Sequence, residues 1–70
     1  DGMMLADALN RFLDGLTVEQ RNIFMRRYWY MSRVKDIESD FGISESGVKM
    51  SLLRSREKLR LILEKEGIII

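Results

Sequence analysis

Val34-Lys35-Asp36-Ile37-Glu38-Ser39-Asp40-Phe41-Gly42-Ile43-Ser44-Glu45-Ser46-Gly47-Val48-Lys49 sets one glycine and one serine between two runs of helical periodicity. Before the glycine, Val34, Ile37 and Phe41 recur at steps of three and four, which is the stripe of a helix lying on a core. After it, Val48, Leu52, Ser55, Leu59 and Ile62 continue at steps of four and three. Gly42 can take the left-handed backbone that ends a helix, and Ser44 can cap the next one by accepting an orphan N–H. Glu45 then falls in the first turn, where the positive end of the helix dipole favours a carboxylate. Helix, glycine turn, apolar residue, serine cap, helix is the sequence form of a helix-turn-helix, here over about residues 33–65.

Working outward, Ser32 is the expected cap of the first of these two helices, a segment of nine residues that is too short to persist unless it packs. Upstream, Thr17-Val18-Glu19-Gln20 has the form of a capping box, so another helix starts near Val18 and fades near Tyr30. Ile23, Phe24, Arg27, Tyr28 and Met31 line one side of it; Tyr28 is expected to pack and Arg26 to stay in solvent. Before that, Leu5, Ala8, Leu9, Phe12, Leu13 and Leu16 mark a first helix from about Met3 to Asp14, stopped by Gly15. Tyr28, Trp29 and Tyr30 read either as helix-end packing or as a patch facing a partner, with packing favoured. Ile68-Ile69-Ile70, after Gly67, either folds back on the bundle or forms an adhesive tail.

Four helices and no strand pattern place the chain in the all-α class, a small four-helix bundle with a C-terminal helix-turn-helix, close to winged-helix DNA-binding domains but without their strands. Its 70 residues make a single domain, 1–70. Because the chain opens on Asp1-Gly2, it is expected to be excised from a longer protein. With no cysteine and no histidine, the sequence lacks thiolate and imidazole ligands and every Cys- or His-based nucleophile scheme, so neither a metal nor a cofactor is expected. Asp36, Glu38 and Asp40 fall at steps of two on one short helix and do not pair for acid–base work. Enzymatic activity is therefore not expected. No apolar run is long enough to span a bilayer, and a cytoplasmic protein without membrane contact is expected.

The net charge of +1 conceals an uneven distribution. Arg11 alone opposes Asp1, Asp7 and Asp14 in residues 1–16, whereas Arg21, Arg26, Arg27, Arg33 and Lys35 face only Glu19 in residues 17–35. A nucleic-acid footprint would have to be local. If Val48 points inward, a rotation of about 100° per residue turns Ser46, Met50, Leu53, Arg54 and Glu57 away from the core, with Lys49 and Arg56 on one flank and Gly47 and Ser51 on the other. A run of Lys49, Arg54, Arg56, Lys58 and Arg60 is commonly no more than a solvated face. Met50 and Leu53 do not suit a solvated face, while a groove-reading or partner-binding surface accommodates both.

The wording of residues 17–65 resembles a known family. Thr17-Val18-Glu19-Gln20-Arg21-Asn22-Ile23-Phe24-Met25-Arg26-Arg27-Tyr28, Val34-Lys35-Asp36-Ile37, Phe41-Gly42-Ile43-Ser44-Glu45-Ser46, Val48-Lys49 and Leu52-Leu53-Arg54-Ser55-Arg56-Glu57-Lys58-Leu59-Arg60 together resemble the C-terminal domain, region 4, of bacterial sigma factors, nearest the extracytoplasmic-function type. That resemblance implies transcription initiation: the last helix in the major groove of the minus thirty-five promoter element, a flap of the RNA polymerase core as protein partner, and an anti-sigma protein as a further one. It assigns groove-facing positions to Lys49, Met50, Leu53 and Arg54, with Ser46 beside them, and backbone contacts to Arg27, Arg33, Gly47 and Arg56. This sequence departs from the family pattern at Gly47, Met50 and Ser51, where Thr or Lys, Ser, and often Arg are usual, so the DNA sequence read is expected to differ. A monomer is expected. The alternatives are the terminal helix-turn-helix of a response-regulator-type activator and a protein-interaction bundle that has lost DNA binding.

Overall fold

The computed structural model describes residues 2–68, and its order is α1 (Gly2–Asp14), α2 (Val18–Tyr28), α3 (Val34–Phe41) and α4 (Glu45–Lys65). Among the described residues there is no strand. Each boundary has a local cause. Gly15 closes α1 by donating to the carbonyls of Arg11 and Phe12. The capping box forms as expected: Gln20 N–H donates to Thr17 Oγ1 and Thr17 N–H donates to Gln20 Oε1, both at 3.1 Å. At the helix-turn-helix corner Gly42 takes φ 65°, and the N–H of Ile43 donates back to the Glu38 carbonyl at 3.2 Å, closing α3 in the usual left-handed cap. Ser44 Oγ then accepts from Gly47 N–H at 3.1 Å and opens α4.

α4 is the axis of the molecule and packs against each of the other three helices. Its 21 residues account for most of the 37 Å long dimension. Ile23, Ile37, Val48 and Leu52 form a fully enclosed cluster, with Val34, Phe41 and Ile43 packed around it. Ile37 and Val48 therefore lock the two helices of the turn to each other and to α2. Ala8 and Phe12 of α1 and Leu16 just beyond it are buried too. Phe12 meets Phe24 edge-on at 5.0 Å, joining α1 to α2.

Three local expectations are corrected. Ser32 does not cap α3; Arg33 holds that position in extended backbone without a side-chain cap. Ser32 Oγ is taken by Arg26, whose Nε donates to it at 3.2 Å. Arg26 is accordingly not a solvent residue: half-buried, it also donates to Asp40 at 2.6 Å and lies over the Phe41 ring, bridging α2 to the end of α3. Once partly removed from water a guanidinium must satisfy its donors; the Ser32 hydroxyl and the Asp40 carboxylate accept from it, and the Phe41 ring face lies against its charge. Met31 does not line α2. It lies beyond the helix end, 75% exposed, with φ 57°. At the other end of the chain, Ile68 is half-buried and donates to the Leu63 carbonyl at 2.9 Å, while Ile69 and Ile70 lie outside the described residues.

Candidate nucleic-acid interface

The burial pattern of α4 sets the interface. Val48, Leu52 and Ser55 face inward, which turns the opposite side of the same turns outward. Ser46, Met50, Leu53 and Arg54 are all exposed there, with Met50 at 46% and Leu53 at 47%. Among the described residues Arg54 makes no salt bridge. The N-terminal half of α4 thus presents two apolar side chains, a hydroxyl and an unpaired cation.

The flanking residues are differently engaged. Lys49 Nζ donates to Glu45 Oε1 at 2.6 Å, one turn back on the same helix. This hydrogen bond, reinforced by the opposite charges, holds the Glu45 carboxyl below its ordinary range and raises Lys49 above its own. Arg56 is exposed, and its Nη1 donates to the Tyr28 hydroxyl at 2.7 Å. Gly47 is half-buried, and its N–H is already taken by the cap. A Cβ at Gly47 would lie 3.3 Å from Ser44 Oγ, so a larger residue there would press on the cap itself.

Two basic residues lie off α4. Arg33, at the start of α3, is exposed and pairs with Asp36 at 3.2 Å. Arg27 is half-buried and donates to the Ser32 carbonyl at 3.0 Å, bracing the α2–α3 connection. The structure therefore gathers Ser46, Met50, Leu53 and Arg54 on one face with Lys49 and Arg56 beside it, and leaves Arg27 and Arg33 on other elements. Sequence reasoning missed the Glu45 partner of Lys49, although Glu–Lys at i,i+4 is the usual helix pair and was legible. It had no signal for the Tyr28 partner of Arg56, which lies 28 residues away.

A second surface lies between α1 and the end of α2. Leu9, Leu13, Phe24, Met25, Tyr28 and Trp29 line an open apolar groove of about 320 Å³. Tyr28 packs on Phe24 with ring centroids 4.8 Å apart, yet remains 44% exposed. Trp29, 72% exposed, stands in solvent at its edge instead of packing, and Tyr30, the next residue, is 67% exposed.

Residues 6–59 match the family model described as Sigma-70, region 4. The chain belongs to the sigma-70 region 4 family. Comparison with curated proteins and with solved structures returns no significant match. Region 4 is a helix-turn-helix domain of a DNA-binding transcription initiation factor and not an enzyme family, which agrees with the corner at Gly42 and the outward face of α4. Membership brings promoter DNA and RNA polymerase as the partners of this region 4 domain. None of its helices among the described residues is long and apolar enough to cross a membrane.

Proposed function

We propose that this region 4 domain, of the extracytoplasmic-function type, reads the minus thirty-five promoter element by laying the N-terminal half of α4 in the major groove. The single observation that carries this is the outward placement of Ser46, Met50, Leu53 and Arg54 on the second helix of a capped helix-turn-helix. A major groove about 12 Å wide admits one helix, and base edges then meet the side chains on its outer face. Arg54 is free to reach a guanine edge; Arg56 and Arg33 supply charge toward phosphates, Lys49 adds its own when released from Glu45, and Arg27 sets the turn that carries Arg33. The RNA polymerase flap is assigned to the apolar groove, whose lining comes from α1, α2 and Trp29 and includes nothing from α3 or α4. DNA and polymerase then occupy separate elements, and an anti-sigma protein inhibits by covering either one.

One recognition helix with few free cations makes a weak binder. Domains that rely on a lone helix-turn-helix commonly dimerise, whereas a sigma domain gains effective concentration from polymerase. The test is a titration of the chain against duplexes selected from a random pool, with its mass in solution measured alongside and core polymerase then added. Monomeric binding, with a dissociation constant on the order of 10⁻⁶ M or weaker near physiological salt and tightened by polymerase, is expected. Tight binding as a stable dimer to a palindromic site would overturn the assignment in favour of a self-sufficient activator.

A further inference from the structure

The centre of the exposed α4 face carries no side-chain amide. Its N-terminal half offers the Ser46 hydroxyl, which lies 3.2 Å from Ser44 Oγ at the cap, and then Met50 and Leu53. Lys49 is drawn back toward Glu45, and the flank that would otherwise supply polar reach is Gly47 and Ser51. Ser51 Oγ is itself buried. What this surface holds toward a base edge is therefore mainly hydrocarbon and thioether, with Arg54 at its border. The one apolar group that base pairs display in the major groove is the C5 methyl of thymine. On a helix, residues three apart have Cβ atoms about 5–6 Å from each other, within the span of two successive base pairs at about 3.4 Å each. Arg54, Arg56 and Lys58 in the same stretch supply the positive charge that suits a phosphate-lined groove over an apolar protein partner.

We infer that Met50 and Leu53 are specificity-determining residues that read thymine C5 methyl groups on neighbouring base pairs. The inference rests on the α4 assignment made above and adds the chemical feature that is read. Deoxyuridine differs from thymidine by that methyl alone, so the exchange removes the contact and keeps base pairing intact.

The experiment selects duplexes from a random-sequence thymidine library at low salt, where phosphate attraction is strongest, and resynthesises the enriched duplexes with deoxyuridine. The chain and its Met50→Ala/Leu53→Ala variant are titrated against both forms. Both side chains are about half exposed, and a thermal melt of the variant confirms its fold. Enriched duplexes should hold thymine at one or two positions, and each exchange to uracil should weaken binding by the chain about fourfold, the equivalent of one buried methyl. The variant should bind the two forms alike. Enrichment without thymine, or a uracil effect equally large in the variant, would overturn the inference and leave the DNA assignment standing. Failure to retain any duplex at low salt would overturn both.

Discussion

Ser55 lies in the middle of α4, 1% exposed, and its hydroxyl has no hydrogen-bond partner. A buried hydroxyl without a partner loses its hydration and gains nothing for it, and Ala is the better helix former. Ser55→Ala should therefore stabilise the domain by ~1 kcal/mol, raising the melting midpoint by roughly 4–8 °C in a domain of this size. A lower midpoint in a circular dichroism melt would mean that the hydroxyl is bonded to the carbonyl one turn back. Met31 presents the opposite case, a side chain in solvent on a backbone that resists it. Its φ of 57° costs an L residue about 1–2 kcal/mol, and at 75% exposure its side chain has little packing to set against that. Met31→Gly should gain ~0.5–1 kcal/mol by the same measurement, after discounting the extra freedom of glycine in the unfolded chain. Neither residue announced itself in the sequence: Ser55 sat correctly on the inward stripe, but whether its hydroxyl finds an acceptor depends on neighbours from other helices.

At the scale of the element, α4 has two jobs on opposite sides of the same turns. Leu52 is 4% exposed in the cluster with Ile23, Ile37 and Val48, so Leu52→Ala should cost about 2–5 kcal/mol and lower the denaturant midpoint sharply. An unmoved midpoint would place α4 in a different register. On the outer side, the Glu45–Lys49 pair restrains a cation that the interface could otherwise use. Glu45→Gln should release Lys49, tighten binding to duplex DNA and steepen its salt dependence by up to about one released counterion. Acid acts in the same direction. The carboxyl of Glu45 is depressed by Lys49, so the pair persists above the ordinary carboxylate range and is lost as pH falls through the lowered value. If the Glu45→Gln salt slope matches that of the parent chain, Lys49 does not engage phosphate. The helix, its cap and its exposed face were all legible, because periodicity and capping chemistry are local. The state of Lys49 was legible as well, from Glu45 four residues before it.

At the scale of the whole molecule, the two surfaces are built from different helices, so they should be separable by mutation. Trp29 edges the apolar groove at 72% exposure and is not a member of the core cluster. Trp29→Ser should leave stability within about 0.5 kcal/mol and leave DNA affinity unchanged. Binding to core polymerase should fall by tenfold or more, as expected when an exposed Trp anchors an interface. Both affinities can be followed with the same labelled chain. A parallel loss of DNA binding would show that the groove and α4 are coupled.

The sequence by itself determined the helices, the glycine corner at Gly42, the serine cap at Ser44 and the direction in which α4 turns Met50 and Leu53. Each of these follows from interactions within about one helical turn: backbone hydrogen bonds, capping oxygens and the 3.6-residue period. Tertiary structure decided what the arginines and aromatics do. Arg26 became a bridge to Asp40, and Arg56 found Tyr28. Trp29 was left in solvent beside a groove that exists only where α1 meets α2. A long side chain can reach several partners, and only the packing of helices far apart in sequence decides which donor meets which acceptor.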